Sequence, residues 1–596
     1  MYPFVRQRFL IVCIASLCLG APLGCSSDTG EENNGACTDC SDADNADTKT
    51  PLNDAASDAQ DTTTGDADSG SASDSGDSGA DVDTGSDSGP SWPIDDGRFG
   101  EPENTFTLPA ATGGAGLYLT DIQDTYPEID WQTLDRLYIP AGHYKFITIG
   151  NLPDRDPSRP LVITNKGGQV RVGGLDHYYL FGLNGGSNWV LTGRYDPVSE
   201  TGHADYPGHR GGNFANSQGT YGILIDDDFV RDGNSGLGVG GGATAFEIEY
   251  LEITEVGFAG MNIKTDDAGD AHMEDVSIHD NYIHDTGSEG FYIGSTQSQP
   301  QHQIRRLELY NNRVLRTGTE AMQIGQVGDD SRIHHNVFGP SAVDWRAAFQ
   351  AYQDGNLQIS IRSGLLELDH NIFIGAGGSW AGIFGADVDG DTRESGDGVN
   401  LHHNYFSGTR SLGMYINNTA LSPMTYRIAN NIFRNYEFRR DEVHTDATPY
   451  GHLLRIFNND IPIEVVDNRY DVSVDFTNRL TDGNGTDGNF TGSGNVGETI
   501  APVTFVAAGV ADDFNFLNLE MWADTASLGD DQPVSYPQDF LVTHAGIPYR
   551  CKLDPCPAGD VPPDNPNTWE ELTPFADDVR VADDSPHQDL GLTPTP

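Results

Sequence analysis

The residues best suited to chemistry lie in one stretch and its echo: "SIHDNYIHDTGSEGFYIGST", residues 277–296, and "ELYNNRVLRTGTEAMQIGQV", residues 308–327. Each contains a Thr-Gly-x-Glu turn, ending at Glu289 and Glu320. If the two stretches stack as adjacent layers, the carboxylates sit about 5 Å apart, the usual strand spacing. Two carboxylates that close do not both ionise cheaply, so one takes a raised pKa or the pair shares a cation. The same spacing suits retaining glycoside hydrolysis by an acid and a nucleophile. Ala259 and Leu412 fill this slot in neighbouring stretches, so a structural role stays open. Lys264 in "GMNIK" and Arg362 in "ISIRSG" supply the cations that proton abstraction beside a carboxylate requires.

Further candidates concern metals and aromatic surfaces. "ADVDGDTRESGD" offers Asp387, Asp389 and Asp391 at alternate positions, an oxygen-rich arrangement suited to calcium. It lacks the Gly and Glu positions of an EF-hand loop, and a solvated acidic loop is the alternative reading. Asp266 and Asp267 beside Lys264 are a weaker cation candidate. An excursion at residues 341–356 brings Trp345 and Tyr352 as candidate groove walls or as plain packing.

The elements that must position these residues are repeated. The pattern apolar-x-apolar-x-x-Asn-x-apolar recurs as "VSIHDNYI", "LELYNNRV", "SRIHHNVF", "LELDHNIF", "VNLHHNYF" and "YRIANNIF". Its asparagines are Asn281, Asn312, Asn336, Asn371, Asn404 and Asn431, at intervals of 24 to 35 residues. Short strands on such a frame, split by turns, describe the coils of a solenoid whose units bury their apolar faces only by stacking. Each Asn then bonds its neighbours one coil above and below. The flanking His279, His334, His335, His402 and His403 read as corner residues.

Strand alternation sorts the second short strand of several units, "GMNIK", "GFYIG", "AMQIG" and "GMYIN". With Met261, Phe291, Met322 and Met414 inward, one outward column is Asn262, Tyr292, Gln323 and Tyr415. The other is Lys264, Gly294, Gly325 and Asn417, in which the glycines leave room for a channel beside the lysine. Amides and aromatic rings in a strip suit sugar binding, and a solvated sheet face is the alternative.

With an Asn at one corner of every coil, the chain resembles the right-handed parallel β-helix of the pectate-lyase-like superfamily. "LDRLYIPAGHYKFITIG", "PLVITNKGGQVRVGG" and "SNWVLTGRYDP" resemble the first coils of such proteins, and the likeness spans roughly residues 130–480. It implies an all-β solenoid. Among activities it admits polysaccharide lyases, hydrolases, epimerases and non-catalytic surface proteins. "HAGIPYRCKLDPCPAGDVPPDNPNTWEEL", residues 544–572, resembles a small chitin-binding-type carbohydrate module. That likeness implies a sugar platform at Tyr549 and Trp569; a coil-capping tail is the alternative.

The ends and the charge complete the expectation. Residues 1–25 have a basic start, an apolar run and small residues before a cysteine, the pattern of a cleaved export signal. "APLGC" resembles a bacterial lipoprotein cleavage box with Cys25 as the acylated residue, which implies membrane association through a lipid anchor only. Residues 26–93 carry 17 acidic side chains, one Lys and almost nothing apolar, and are expected to form a disordered tether.

The whole chain carries −57, and about −43 remains once leader and tether are set aside. Such a body repels phosphate backbones, so nucleic acid is not an expected partner. No Cys lies between residues 41 and 550, and only Cys551 and Cys556 form a plausible bridge. The expected organisation is leader 1–25, tether 26–93, β-helix 94–480 and C-terminal cap 481–596. The expected function is binding and cleavage of an extracellular polysaccharide, by lyase or hydrolase chemistry. The alternative is a non-catalytic glycan-binding or adhesion protein.

Overall fold

The computed structural model describes residues 102–592 apart from 112–113, 175–176, 195–220, 228–232, 266–271, 295–301, 345–352, 362, 386–392, 410–412, 419–422, 437–452, 460–461, 472–489, 507–519, 523–533, 545–546 and 573–576. Cys25 and the tether, Asp266, Asp267, Trp345, Tyr352, Arg362, Asp387, Asp389 and Asp391 lie outside the described residues.

A single coil shows how sequence becomes structure. His272–His279 forms a first strand, Tyr282–His284 a second and Phe291–Ile293 a third. The next coil repeats this with Gln303–Tyr310, Arg313–Leu315 and Met322–Gly325. Pairing is parallel and in register, with Val276 opposite Leu307, Tyr282 opposite Arg313 and Phe291 opposite Met322. First and second strands form one continuous parallel array, and third strands form an 11-stranded parallel sheet. The protein is thus an all-β parallel β-helix. The stack begins at Thr105–Thr107 and continues to Val496–Glu498, beyond the expected end at 480.

Inward positions share one core that runs from Leu108 to Val465. Stacked rings of Phe338, Phe373, Phe406 and Phe433, at centroid separations of 5.2, 4.7 and 5.2 Å, follow the axis. Identical positions on successive coils lie one strand spacing apart, so like side chains pack on like.

The corner between first and second strands carries the asparagine ladder. Asn312 Nδ2 donates to Asn336 Oδ1 at 3.0 Å and to the Ile278 carbonyl at 2.9 Å, while its backbone N–H donates to the same Oδ1 at 2.9 Å. Asn468 and Asn495 extend the ladder by two rungs beyond Asn431. The residue before the rung is left-handed in coil after coil, for example Asp280 at φ 57°, His335 at 53° and Asp467 at 55°. Small polar and imidazole side chains predominate there because few residues tolerate that conformation.

The C-terminal part is a side strap rather than an end cap. Val503, Phe505, Val579, Leu590 and Leu592 pack on the outward faces of Tyr282, Leu315, Val337, Ile372 and Tyr405 along the second strands. Asp577 pins it: its carboxylate pairs with Arg316 at 2.7 Å and accepts the Tyr282 hydroxyl. Arg316 also pairs with Asp285 at 2.8 Å, and Arg313 lies 3.5 Å from the Tyr282 ring centroid. Residues 534–572 hold a small sheet, in which Leu541–His544, Ile547–Cys551 and Trp569–Glu571 pair antiparallel, closed by the Cys551–Cys556 disulfide.

Candidate functional site

The corner between second and third strands is built by the Thr-Gly-x-Glu turn. In both copies the first Thr hydroxyl donates to the carbonyl two residues on, Thr286 to Ser288 and Thr317 to Thr319, each at 2.8 Å. A Cβ on Gly287 or Gly318 would come within 2.3 Å of a carbonyl oxygen of the coil below. The Thr-Gly pair therefore lets the turns nest, and nesting stacks the glutamates two positions further on. The backbone N–H of Gly290 donates to the Glu320 carbonyl at 3.0 Å, which sets Glu289 and Glu320 on adjacent coils.

Both carboxylates are buried, at 2% and 0% exposure. Glu289 accepts from the Ser288 hydroxyl at 2.6 Å and from Gln353 Nε2 at 3.5 Å. Neither oxygen of Glu320 makes a well-formed hydrogen bond among the described residues, and the Thr319 hydroxyl and the residue's own backbone only partly offset its burial. Burial raises the Glu289 pKa, partly offset by the Ser288 bond and the Lys264 charge. Burial, with the added negative charge of Glu289 and Asp354, lifts Glu320 well above the usual carboxylate range. The two carboxyls therefore titrate as a pair, and burial with the neighbouring charge favours the protonated form most strongly at Glu320. Ser341–Asp344 lies against this corner, with Ala342 N–H donating to the Thr319 carbonyl at 2.7 Å.

The outward column has the register expected of it: Asn262, Tyr292, Gln323, Gln358, Gly382 and Tyr415 pair in sequence across the third strands. It is not an open strip, because Asn262, Tyr292, Gln323 and Tyr415 are 2%, 5%, 4% and 9% exposed. Asn262 spends its amide on the Ser235 hydroxyl at 2.9 Å. The second column is corrected as well. Gly294 adopts φ 73°, and a Cβ there would fall 1.6 Å from the Gly325 carbonyl oxygen, so close backbone approach rather than a channel explains the glycine.

Lys264 is half-buried, with its ammonium 4.8 Å from the Tyr292 ring centroid, and its charge acts on Glu289. Two candidate chemistries that were separate in the sequence thus meet in one constellation of Lys264, Tyr292, Glu289 and Glu320. Sequence reasoning missed Gln353 and Asp354. The register offered a signal for both, since Leu357 pairs with Met322 and so sets them one coil above Gly318 and Thr319, next to Glu320.

Tyr549 and Trp569 are 3% and 2% exposed and form the small core around the disulfide with Tyr536 and Val542. Their rings are consumed in packing, which removes the expected sugar platform from this surface. A different acidic group, Glu247, Glu249 and His279, brings potential metal-ligand atoms within 4.8 Å of one another. Burial lowers the His279 pKa, but its bonds to Asp280 at 2.7 Å and Glu247 at 2.8 Å more than reverse this and bring it to about 9. A metal held by this group would have to displace a ring proton from His279. No protein-family model matches the chain, and no curated protein matches it significantly.

Proposed function

We propose that the protein binds and cleaves an extracellular polysaccharide, with Glu289 and Glu320 as the catalytic carboxylates of a glycoside hydrolase. The observation that carries this reading is the stacked pair itself. Burial and the neighbouring charge raise Glu320 further than Glu289, and the Lys264 charge, held beside the Tyr292 ring, acts on Glu289. In such a pair the protonated member donates to the leaving oxygen and the ionised member attacks or stabilises the sugar cation. Lys264 favours ionisation of Glu289, which assigns the acid role to Glu320. Export, acylation of Cys25 and calcium at Asp387, Asp389 and Asp391 belong to the same proposal, which puts the enzyme on the cell surface with a glycan as its partner.

A specific observation favours a second reading. Carboxylates with 2% and 0% exposure also suit a closed, non-catalytic glycan-binding protein in which the carboxyl pair is structural. Incubation of the mature chain with neutral and uronate polysaccharides, with and without chelator, separates the readings. New reducing ends that disappear in Glu320→Gln support hydrolysis. Unsaturated ends that depend on Lys264 would replace it with elimination, and binding without either product would leave only the adhesion reading.

A further inference from the structure

Away from the carboxylate pair, the first coils present aromatic rings to solvent. Tyr118 and Tyr178 are 52% and 41% exposed, an unusual state for large rings on a face that is covered further along. They belong to two ring groups that adjoin through the consecutive residues His177 and Tyr178. Tyr118 meets the edge of Phe146 at 6.2 Å and lies 5.9 Å from His177, which stacks on Phe146 at 4.7 Å. Tyr178 packs on Tyr179 at 4.8 Å and lies 6.4 Å from Phe258.

The patch is built rather than accidental. Tyr118 heads the outward column of the third-strand sheet, paired with Thr148, then Gly182, then Gly238 and Asn262. A Cβ on Gly238 would lie 2.5 Å from the Tyr179 ring, and one on Gly116 would lie 2.2 Å from the Phe146 ring. Glycine at these positions is what lets the rings lie down on the sheet. From Tyr118 to Phe258 the patch crosses four strand spacings, about 19 Å, the reach of a short oligosaccharide. Beneath the rings, the Thr148 hydroxyl and His177 Nδ1 are buried with no partner among the described residues.

We propose that this patch, on the N-terminal coils and apart from the carboxylate pair, is a binding platform for neutral polysaccharide. The proposal rests on the glycan reading above and narrows its substrate class. Tyrosine faces stack on the apolar faces of pyranose rings, and a phenol hydroxyl can pair with a sugar hydroxyl. Uronate polymers are disfavoured because the body carries about −43 and would repel a polyanion.

The test is calorimetric titration of the mature chain with soluble neutral glucans, mannans and xylans and with polygalacturonate. It compares wild type with Tyr118→Ala, Tyr178→Ala and the double variant, and circular dichroism and thermal melting confirm the fold of each. Each single tyrosine loss is expected to weaken binding to a neutral glycan about tenfold, and the double about 100-fold. Binding within twofold of wild type in the double variant overturns the platform, as does tighter binding of polygalacturonate than of any neutral glycan. If the double variant still cleaves a glycan with an unchanged KM, the platform fails while the hydrolase reading stands. If no glycan binds or is cleaved at all, both fail.

Discussion

In the two coils that carry Glu289 and Glu320, the two corners make opposite use of polar residues. At the first corner the Asn rungs are satisfied: Asn336, for example, bonds Asn371, the Leu309 carbonyl and the His334 carbonyl at 2.9 Å each. At the second corner the rung is a carboxylate pair, and Glu320 has both oxygens buried without a well-formed hydrogen bond among the described residues. A buried polar group that recurs and is fully bonded stabilises the stack. One that is buried and poorly bonded costs free energy, which scaffold alone does not explain. Repetition therefore separates architecture from candidate chemistry in this fold.

That contrast can be broken most directly at Glu320. Glu320→Gln is expected to lower glycan turnover by about 10²- to 10⁴-fold, the range for a general acid. Its denaturant midpoint should hold or rise, because a buried carboxyl is removed from beside Glu289. Loss of stability comparable to that of a ladder variant would make the second corner scaffold too. The ladder supplies that standard. Asn336→Ala strands donors and acceptors on three coils and should cost about 4 kcal/mol in urea unfolding, with no change in any catalytic pH profile.

The flank offers an intermediate case, a satisfied charge network that is not repeated. Asp577→Ala leaves Arg316 with Asp285 alone and should cost about 3 kcal/mol, together with faster proteolysis near residue 577. An unchanged protease pattern would mean that Val503, Phe505, Val579 and Leu590 hold the strap without the ion pair.

The smallest effect sharpens the comparison within the first corner itself. His279 is raised to about 9, above its unfolded value near 6.5, so its stabilisation is complete below pH 6.5 and is lost as pH rises toward 9. His335 is lowered to about 4, by burial and then by the neighbouring His334 and His370. Its contribution is complete above pH 6.5 and is lost as pH falls toward 4. His279→Gln should therefore flatten the alkaline side of the stability profile and His335→Gln the acid side. Both variants losing the same side would refute the assignment.

Much of the ladder and the strand alternation was legible because a fixed frame imposes them: Asn281 through Asn431, and Met261, Phe291, Met322 and Met414 facing inward. Asn468 keeps the apolar spacing in "IEVVDNRY" and could be read from it, whereas Asn495 has glycines at two of the apolar positions, in "FTGSGNVG". The Glu289 and Glu320 pairing was visible from the repeated Thr-Gly turn, as was the disulfide from two isolated cysteines. Coverage was not visible. Whether Tyr292 or Tyr549 meets solvent depends on chain packed against it from elsewhere in the fold, as Cys556 and Trp569 do on Tyr549, and no local periodicity encodes that.

The sequence by itself thus determined the coil, its register and which residues share a column, since parallel stacking converts spacing along the chain into position in space. Only the tertiary structure decided which columns are open. It buried the strip at Asn262, Tyr292, Gln323 and Tyr415, laid the C-terminal strap over the second strands, and left Tyr118 and Tyr178 exposed. The physical reason is that alternation fixes only the side of the sheet a residue faces. Burial depends on the other segments that pack on that side.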